Sequence, residues 1–331
     1  MISNTKIRFI KSHEANLLQE FIKTNYSSTH ILSLNNKVLN FYYNYQNKKK
    51  INFLGYFNRN KLSAVMGLIS SKNWDPSSDK NIFIALIVKA KFCKEDISFK
   101  FISYIINKIK PNFLGCIGFN SKVFKIFSKI GLCKRMQHYY ILNKKLKPKI
   151  SKNLAISKSK KINDVKIKIT KTLKEIPSNT VFQSKSKNYF NNKYSLNPFY
   201  RYYFLNFYKN KKFIFFLIVR KIKINKYNSF IFRIVDIYGQ DFKVNISSLI
   251  EKFLYEHKAE YIDFMNYGIE FKELKLMGFQ KKNNSQLIPN FFEPFIEKNE
   301  NLDLCILLNN SNNKRITINK GDGDQDRPNK I

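Results

Sequence analysis

Two carboxylates interrupt runs that are otherwise apolar: Asp236 in 229-SFIFRIVDIYG-239 and Asp263 in 260-EYIDFMN-266. A carboxyl group inside such a run is desolvated, which raises its pKa and suits it to accept a proton near neutral pH. If the two strands are neighbours, both side chains emerge at the C-terminal end of one sheet, the edge where open α/β sheets bind ligands. General-base catalysis on an attacking amine is the chemistry this pair would serve, with Asp236 and Asp263 as the catalytic candidates. The alternative is structural: each carboxylate caps a turn or pairs with Arg220 or Arg233. In 196-LNPFYRYYF-204, Arg201 sits among aromatic residues, which is read as core packing or a surface on which a sugar stacks.

A different kind of run closes the sequence, 320-KGDGDQDRPNK-330, with Asp322, Asp324 and Asp326 at every second position. As a calcium loop it starts correctly, but Arg327 stands where glycine is needed and the closing bidentate Glu would fall beyond Ile331. No metal is therefore expected. The run differs from the Lys- and Asn-rich background, and Arg327 can grip a carboxylate with two hydrogen bonds. It is expected to fold back near Asp236 and Asp263, with Asp324, Asp326 and Arg327 binding substrate. The four histidines form no Ser–His–Asp order. His138, opening a strand, is the weaker base candidate. Cys93, Cys116, Cys133 and Cys305 show no CxxC spacing, which argues against structural zinc and against a disulfide framework.

The elements that must position these residues follow a repeated order. In the first half, 51–60 and 61–70 read as a hairpin turning at Asn58–Asn60, followed by strand 82–90. A helix over 99–110, capped by Ser98 and stopped by Pro111, leads to strand 113–119, helix 121–130 and strand 138–143. In the second half, strands 213–224 and 229–239 precede a helix from Ser247 capped by Ser247 or Asn245. Strand 260–266 and helix 270–277 come next, ending on Gly278–Phe279. Between the halves, 147-KPKISKNLAISKSKK-161 reads as a solvated linker. The expected organisation is a first domain over 1–147, a linker over 148–163, a second domain over 164–308 and a tail over 309–331.

Composition narrows the functional classes. The chain has 331 residues and a formal charge of +37. That charge is spread over nearly every segment, alongside abundant Asn, Ile, Phe and Tyr, whose codons are also A/T-rich. Base composition therefore accounts for it better than a polyanionic partner does, and the excess of Lys over Arg argues against base readout. A basic nucleic-acid binder stays as a minor alternative. No apolar stretch at the N-terminus has signal-peptide length, and 213-FIFFLIV-219 is far too short to cross a bilayer. A cytoplasmic protein without membrane insertion is expected.

The repeated grammar resembles the GNAT acyltransferase fold, most closely at 120-NSKVFKIFSKIGL-132, where Asn120, Val123, Phe127, Gly131 and Leu132 keep the family spacing with relaxed residue types. The arrangement is similar to tandem, Fem-type acyltransferases. The stretches 233-RIVDIYGQ-240, 289-PNFFEPF-295 and 324-DQDRPN-329 also resemble a little-characterised bacterial group associated with surface-polysaccharide or nonulosonate biosynthesis. The resemblance implies an α/β fold of two GNAT-like domains, each a mixed sheet flanked by helices. It also implies acyl-CoA as co-substrate and an amino-sugar or nucleotide-sugar acceptor. Gly239, Gln240 and Asn120 become cofactor-binding candidates, and Arg233 and Glu293 join Arg201 as substrate-binding ones. The donor loop departs from the pattern: 91-KFCKEDIS-98 lacks glycine and carries Glu95 and Asp96, and the usual thiolate-protonating Tyr falls at Phe127 and Leu274. The first domain is thus expected to be degenerate for CoA. A non-catalytic scaffold on a decayed GNAT fold remains the rival reading.

Overall fold

The computed structural model describes residues 5–45, 49–118, 124–125, 128–129, 133–155, 164–177, 185–240, 242–289, 303–307 and 316–329. They form two compact units, each assembled from separate stretches of sequence. Unit 1 takes 1–134, 304–313 and 323–331; unit 2 takes 135–303 and 314–322.

The sheet of unit 1 has the order β1-β2-β3-β4-β5-β14-β6. Its strands are β1 (Thr5–Lys11), β2 (Lys50–Asn58), β3 (Lys61–Ser70), β4 (Asn81–Lys89), β5 (Phe113–Ile117), β6 (Cys133–Arg135) and β14 (Asp303–Leu307). The β2–β3 hairpin closes through Arg59 and Asn60, both at positive φ, as a two-residue turn matched to strand twist requires. Helices α1 (Ala15–Asn25), α2 (Ile31–Leu34) and α3 (Asn36–Tyr43), the last capped by the Asn35 side chain, precede β2. Helix α4 (Ile97–Tyr104) starts two residues earlier than its sequence suggests, with Asp96 at the N-cap. Its Ile97 and Phe101, with Ile105 just beyond, lie one turn apart on the face buried against Leu54, Met66, Leu68 and Ile82. A π turn over Ile105–Ile109 and left-handed Lys110 end it before Pro111.

Unit 2 repeats this order. Its strands are β7 (Gln137–Leu142), β8 (Val165–Thr170), β9 (Tyr202–Lys209), β10 (Lys212–Ile224), β11 (Ser229–Gly239), β12 (Ala259–Tyr267), β13 (Gln280–Lys281) and β15 (Ile318–Asn319). The path runs β13-β7-β12-β11-β10-β9-β8, with β15 paired to β12. Asn210 and Lys211 close the β9–β10 hairpin at positive φ, as Arg59 and Asn60 do in unit 1. The short helix α5 (Lys187–Phe190) precedes β9, and helix α6 (Ser247–Glu256) packs on one face, Phe253 meeting Phe232 at 4.5 Å between ring centroids. Asn245 accepts hydrogen bonds from the Ser247 N–H and Oγ. Gly278, at φ 98, ends helix α7 (Phe271–Met277).

The two mixed sheets of similar topology therefore exist, with one difference from the contiguous segments read in the sequence. Read outward from the β4–β5 and β11–β12 pairs, each sheet takes its next strand from the other half of the chain. Strand β14 pairs antiparallel with β5 in unit 1, and β7 pairs antiparallel with β12 in unit 2. Alternating residues in 137–142 identify a strand but carry nothing about its partner, so the exchange is invisible to local pattern.

Candidate functional site

In both units the central parallel pair comes apart at its C-terminal end. In unit 1, β4 pairs with β5 from Asn81 to Ile84, while β5 ends at Ile117 and β4 continues to Lys89. A bulge sits where they part: Leu68 faces Ile84 and Met66 faces Ile87, so β4 carries one extra residue at Ala85–Leu86. In unit 2, β11 and β12 pair up to Ile234↔Phe264, and β11 is bulged at Val235, since Ile218 faces Asp236 and Val219 faces Ile234. A splayed strand leaves backbone N–H and C=O groups that need partners. The two units differ in what supplies them.

In unit 2 the chain's own tail enters the splay. Strand β15 pairs with the end of β12 through Asn266↔Asn319 and Tyr267↔Ile318. The approach is so close that a Cβ on Gly268, at φ 103, would stand 1.9 Å from the Ile316 carbonyl oxygen. One on Gly321 would stand 2.3 Å from the Tyr194 hydroxyl and 2.7 Å from the carbonyl oxygen of Val235 at the bulge. Glycine is required at both positions.

Asp236 lies beneath this segment, wholly buried and fully engaged. Lys185 Nζ donates to both its oxygens at 3.1 Å, Tyr194 Oη to Oδ2 at 3.0 Å, Asn319 Nδ2 to Oδ1 at 2.9 Å, and the Ile237 N–H to Oδ1 at 3.0 Å. Lys185 Nζ also donates to Asp322 Oδ1 at 2.7 Å. Burial alone would lower the Lys185 pKa, but Asp236 and Asp322 hold it well above the usual lysine value. The Asp236 pKa is raised, with burial outweighing the lysine.

Asp263 anchors a second cluster. It faces Arg233 across β11–β12, and the guanidinium grips it from Nε at 3.0 Å and Nη2 at 3.0 Å. His138 Nε2 lies 2.9 Å from Asp263 Oδ2, and His138 Nδ1 is buried with no hydrogen-bond partner among the described residues. Burial opposes ionisation of Asp263, but Arg233 and His138 outweigh it and leave the carboxyl far below its ordinary pKa. Burial lowers the His138 pKa more than Asp263 raises it.

The structure thus brings the two catalytic candidates onto adjacent parallel strands, as the sequence suggests, and gives each its own cation. Both are wholly buried, and every carboxylate oxygen of the pair accepts a hydrogen bond. Arg233 is committed to Asp263, and its Nη2 also donates to the Pro289 carbonyl at 3.0 Å. Gly239 and Gln240 serve sheet closure: a Gly239 Cβ would fall 2.2 Å from that of Phe215, and the Gln240 N–H donates to Ile214 O. Arg201 is exposed, and the guanidinium that stacks on this aromatic segment is that of Arg220, 4.0 Å above Tyr200. Asn120 and Glu293 lie outside the described residues.

The tail is folded and divides between the units: Asn319 and Asp322 belong with Asp236 in unit 2, and Arg327 belongs to unit 1. In unit 1, the Tyr42 hydroxyl donates to Asp326 O at 3.4 Å, and Gln325 Nε2 donates to the Ile117 carbonyl at the end of β5. Arg327 is 5% exposed, meets Asp324 at 3.5 Å, and has an Nε with no partner among the described residues. Burial raises the Asp324 pKa, with Arg327 only partly offsetting it. Sequence reasoning missed Lys185, Tyr194 and Asn319, and picked out Asp322 only as part of the acidic run. A lysine in a lysine-rich chain carries no local signal of burial.

Among the described residues, the splay of unit 1 keeps an open edge. From Ala85 to Lys89, β4 has no partner on the side facing β5 among the described residues. Helix α4 begins just beyond, and the N–H groups of Ser98 and Phe99 in its first turn are without partners there. Glu95, expected to repel phosphate, is tied to Lys100 and to the Tyr56 hydroxyl, the latter at 2.5 Å. Lys89, Lys91 and Lys94 of the same turn are exposed.

No protein-family model matches the chain, and no curated protein matches it either. Solved structures do. A GCN5-related N-acetyltransferase from Anabaena variabilis aligns over 91% of this chain and 72% of its own, at 9% identity and a TM-score of 0.51. A conserved Enterococcus faecalis protein of unknown function, described as a probable N-acyltransferase, aligns over 92% and 72%, at 10% identity and a TM-score of 0.50. At such identities the likeness is one of fold: the chain is built from two GNAT-like mixed α/β units. Among the described residues no helix is long and apolar enough to cross a membrane, which says nothing of a strand-built span. No group of three or more His, Cys, Asp or Glu among them is placed to hold a metal ion.

Proposed function

We propose that the chain is an acyltransferase that passes an acyl group from a thioester such as acyl-CoA to the amine of an amino sugar, nucleotide-linked and destined for a surface glycan. The observation that carries the reading is the edge of β4 beyond its bulge, which has no partner among the described residues. The amide-bearing arm of an acyl-CoA can complete a strand edge as a peptide does, through main-chain hydrogen bonds. The exposed lysines of 89–94 and the Ser98 and Phe99 N–H groups suit the phosphates that follow that arm. The turn lacks glycine, so the phosphates would rest on side chains more than on closely approached backbone.

Direct attack by the amine forms the C–N bond as the C–S bond breaks, and needs no enzyme nucleophile. Asp324, its pKa raised by burial, and Arg327, whose Nε has no partner among the described residues, are the residues assigned to the acceptor in unit 1. Unit 2 supports the rival reading for itself alone: with its splay filled by β15 and its carboxylates ion-paired, it is assigned a scaffold role. Thiol release from acetyl-CoA by the full chain, across a panel of amino sugars, tests the proposal. Release that depends on the amine and falls at least about tenfold in Asp324→Asn, within the range for one lost proton-transfer group, is expected. Release with no amine dependence would overturn it.

A further inference from the structure

At the opposite end of β4 from the open edge, unit 1 holds a cavity of about 570 Å³ lined by Phe9, Lys50, Lys72, Lys80, Tyr104 and Lys108 among others. Its volume falls within the range of small-molecule sites, roughly 300–1,000 Å³. Four lysines line it and no carboxylate does. Two of the cations are held by backbone carbonyls. Lys80 Nζ donates to the Ile109 carbonyl at 2.7 Å, Lys72 Nζ donates to the Pro76 carbonyl at 2.8 Å, and Lys50 Nζ stands 4.0 Å over the Phe9 ring. Burial, and then the charge of Lys80, hold the Lys50 pKa below the usual lysine value. Clustered ammonium groups repel one another, and an anion between them removes that cost.

We propose that this cavity binds a small molecule carrying two or more linked phosphates. Four ammonium groups exceed the charge of one phosphate, about −1.5 to −2 near neutral pH, and are matched by a diphosphate or triphosphate. The site is a concavity and not a basic stripe, which favours a compact ligand over a nucleic-acid backbone. The proposal is independent of acyl transfer, since it concerns the other end of the strand.

Calorimetric titration of the full chain with inorganic pyrophosphate, at physiological salt, is the test. Saturable binding is expected, its tightest site weakened at least about tenfold in the Lys50→Met, Lys80→Met double variant, a change of about 1.4 kcal/mol. A control pair on unit 2, Lys223→Met with Lys226→Met, is expected to leave it unchanged. Equal weakening by both pairs would mean diffuse attraction to a basic protein and would overturn the site. So would tighter, pocket-independent binding of a single-stranded oligonucleotide with no saturable pyrophosphate binding. If the pocket variant does not fold, amine acylation of the unaltered chain read by mass spectrometry decides the matter. Pyrophosphate should shield Lys50, Lys80 and Lys108, and unchanged labelling there would overturn the proposal.

Discussion

Arginine is scarce in this chain, 8 of the 60 Lys+Arg residues, and three of the eight sit where a planar fork does what an ammonium group cannot. Arg8 makes two 2.7 Å bonds to Glu14, Arg220 stacks on Tyr200, and Arg233 grips Asp263. Arg233→Met would strand a buried carboxylate, and a loss of about 3–5 kcal/mol in urea unfolding is expected. Arg233→Lys should recover part of it; full recovery would mean the fork is irrelevant. His30 gives a pH signature. Burial, and then the charge of Arg327, push its pKa down from 6.5 to about 4. Below about 6.5 the unfolded chain takes up a proton that the folded chain refuses, so this contribution is complete above 6.5 and lost as pH falls towards 4. His30→Gln should flatten the stability profile across that window, and an unchanged slope would exclude the histidine. At this scale the sequence made the positions of Asp236 and Asp263 legible, offered Arg233 as a pairing partner, and left Lys185 hidden. Arg233 lies across a strand pair, while Lys185 and Asp322 come from 51 and 86 residues away along the chain.

At the scale of elements, the hairpins, the bulged strands, α4 and α6 follow from period and turn chemistry, and their existence is readable from 51–70, 97–110 and 213–267. Register and exchange are not, because period-2 alternation fixes which face a side chain takes and not which strand it meets. The tail is the sharpest case: its composition marks it as unusual, but its role in closing unit 2 depends on a strand of two residues. Gly268→Ala should cost about 1–3 kcal/mol, the range for a residue forced into a disfavoured backbone region. It should also speed amide exchange at Ile318 and Asn319. Exchange unchanged there would mean the tail is held by something other than the β12–β15 approach. Deletion of residues 321–331 removes Asp322, the shorter of the two contacts to Lys185, together with buried Arg327. A fall in stability of at least about 1–3 kcal/mol is therefore expected, the cost of leaving a buried polar group unsatisfied. The sequence alone suggests a smaller effect, as for a terminal segment that buries little apolar area.

For the whole molecule, the exchange of β7 and β14 means that neither half of the sequence contains its own sheet. A fragment ending at residue 147 keeps β7, which belongs beside β12, and lacks β14, which belongs beside β5. It should not give a dispersed amide spectrum, and a well-dispersed one would show that the first half closes a sheet without β14. Ligand tests therefore require the full chain. The claim that distinguishes the units is that the splay of unit 1 is open to a donor while that of unit 2 is filled by the tail. Amide hydrogen exchange of the full chain with and without acetyl-CoA reads both places in one experiment. Protection over residues 85–99, with 235–249 unchanged, is the expected result; protection over 235–249, or none in either stretch at saturating donor, would contradict it.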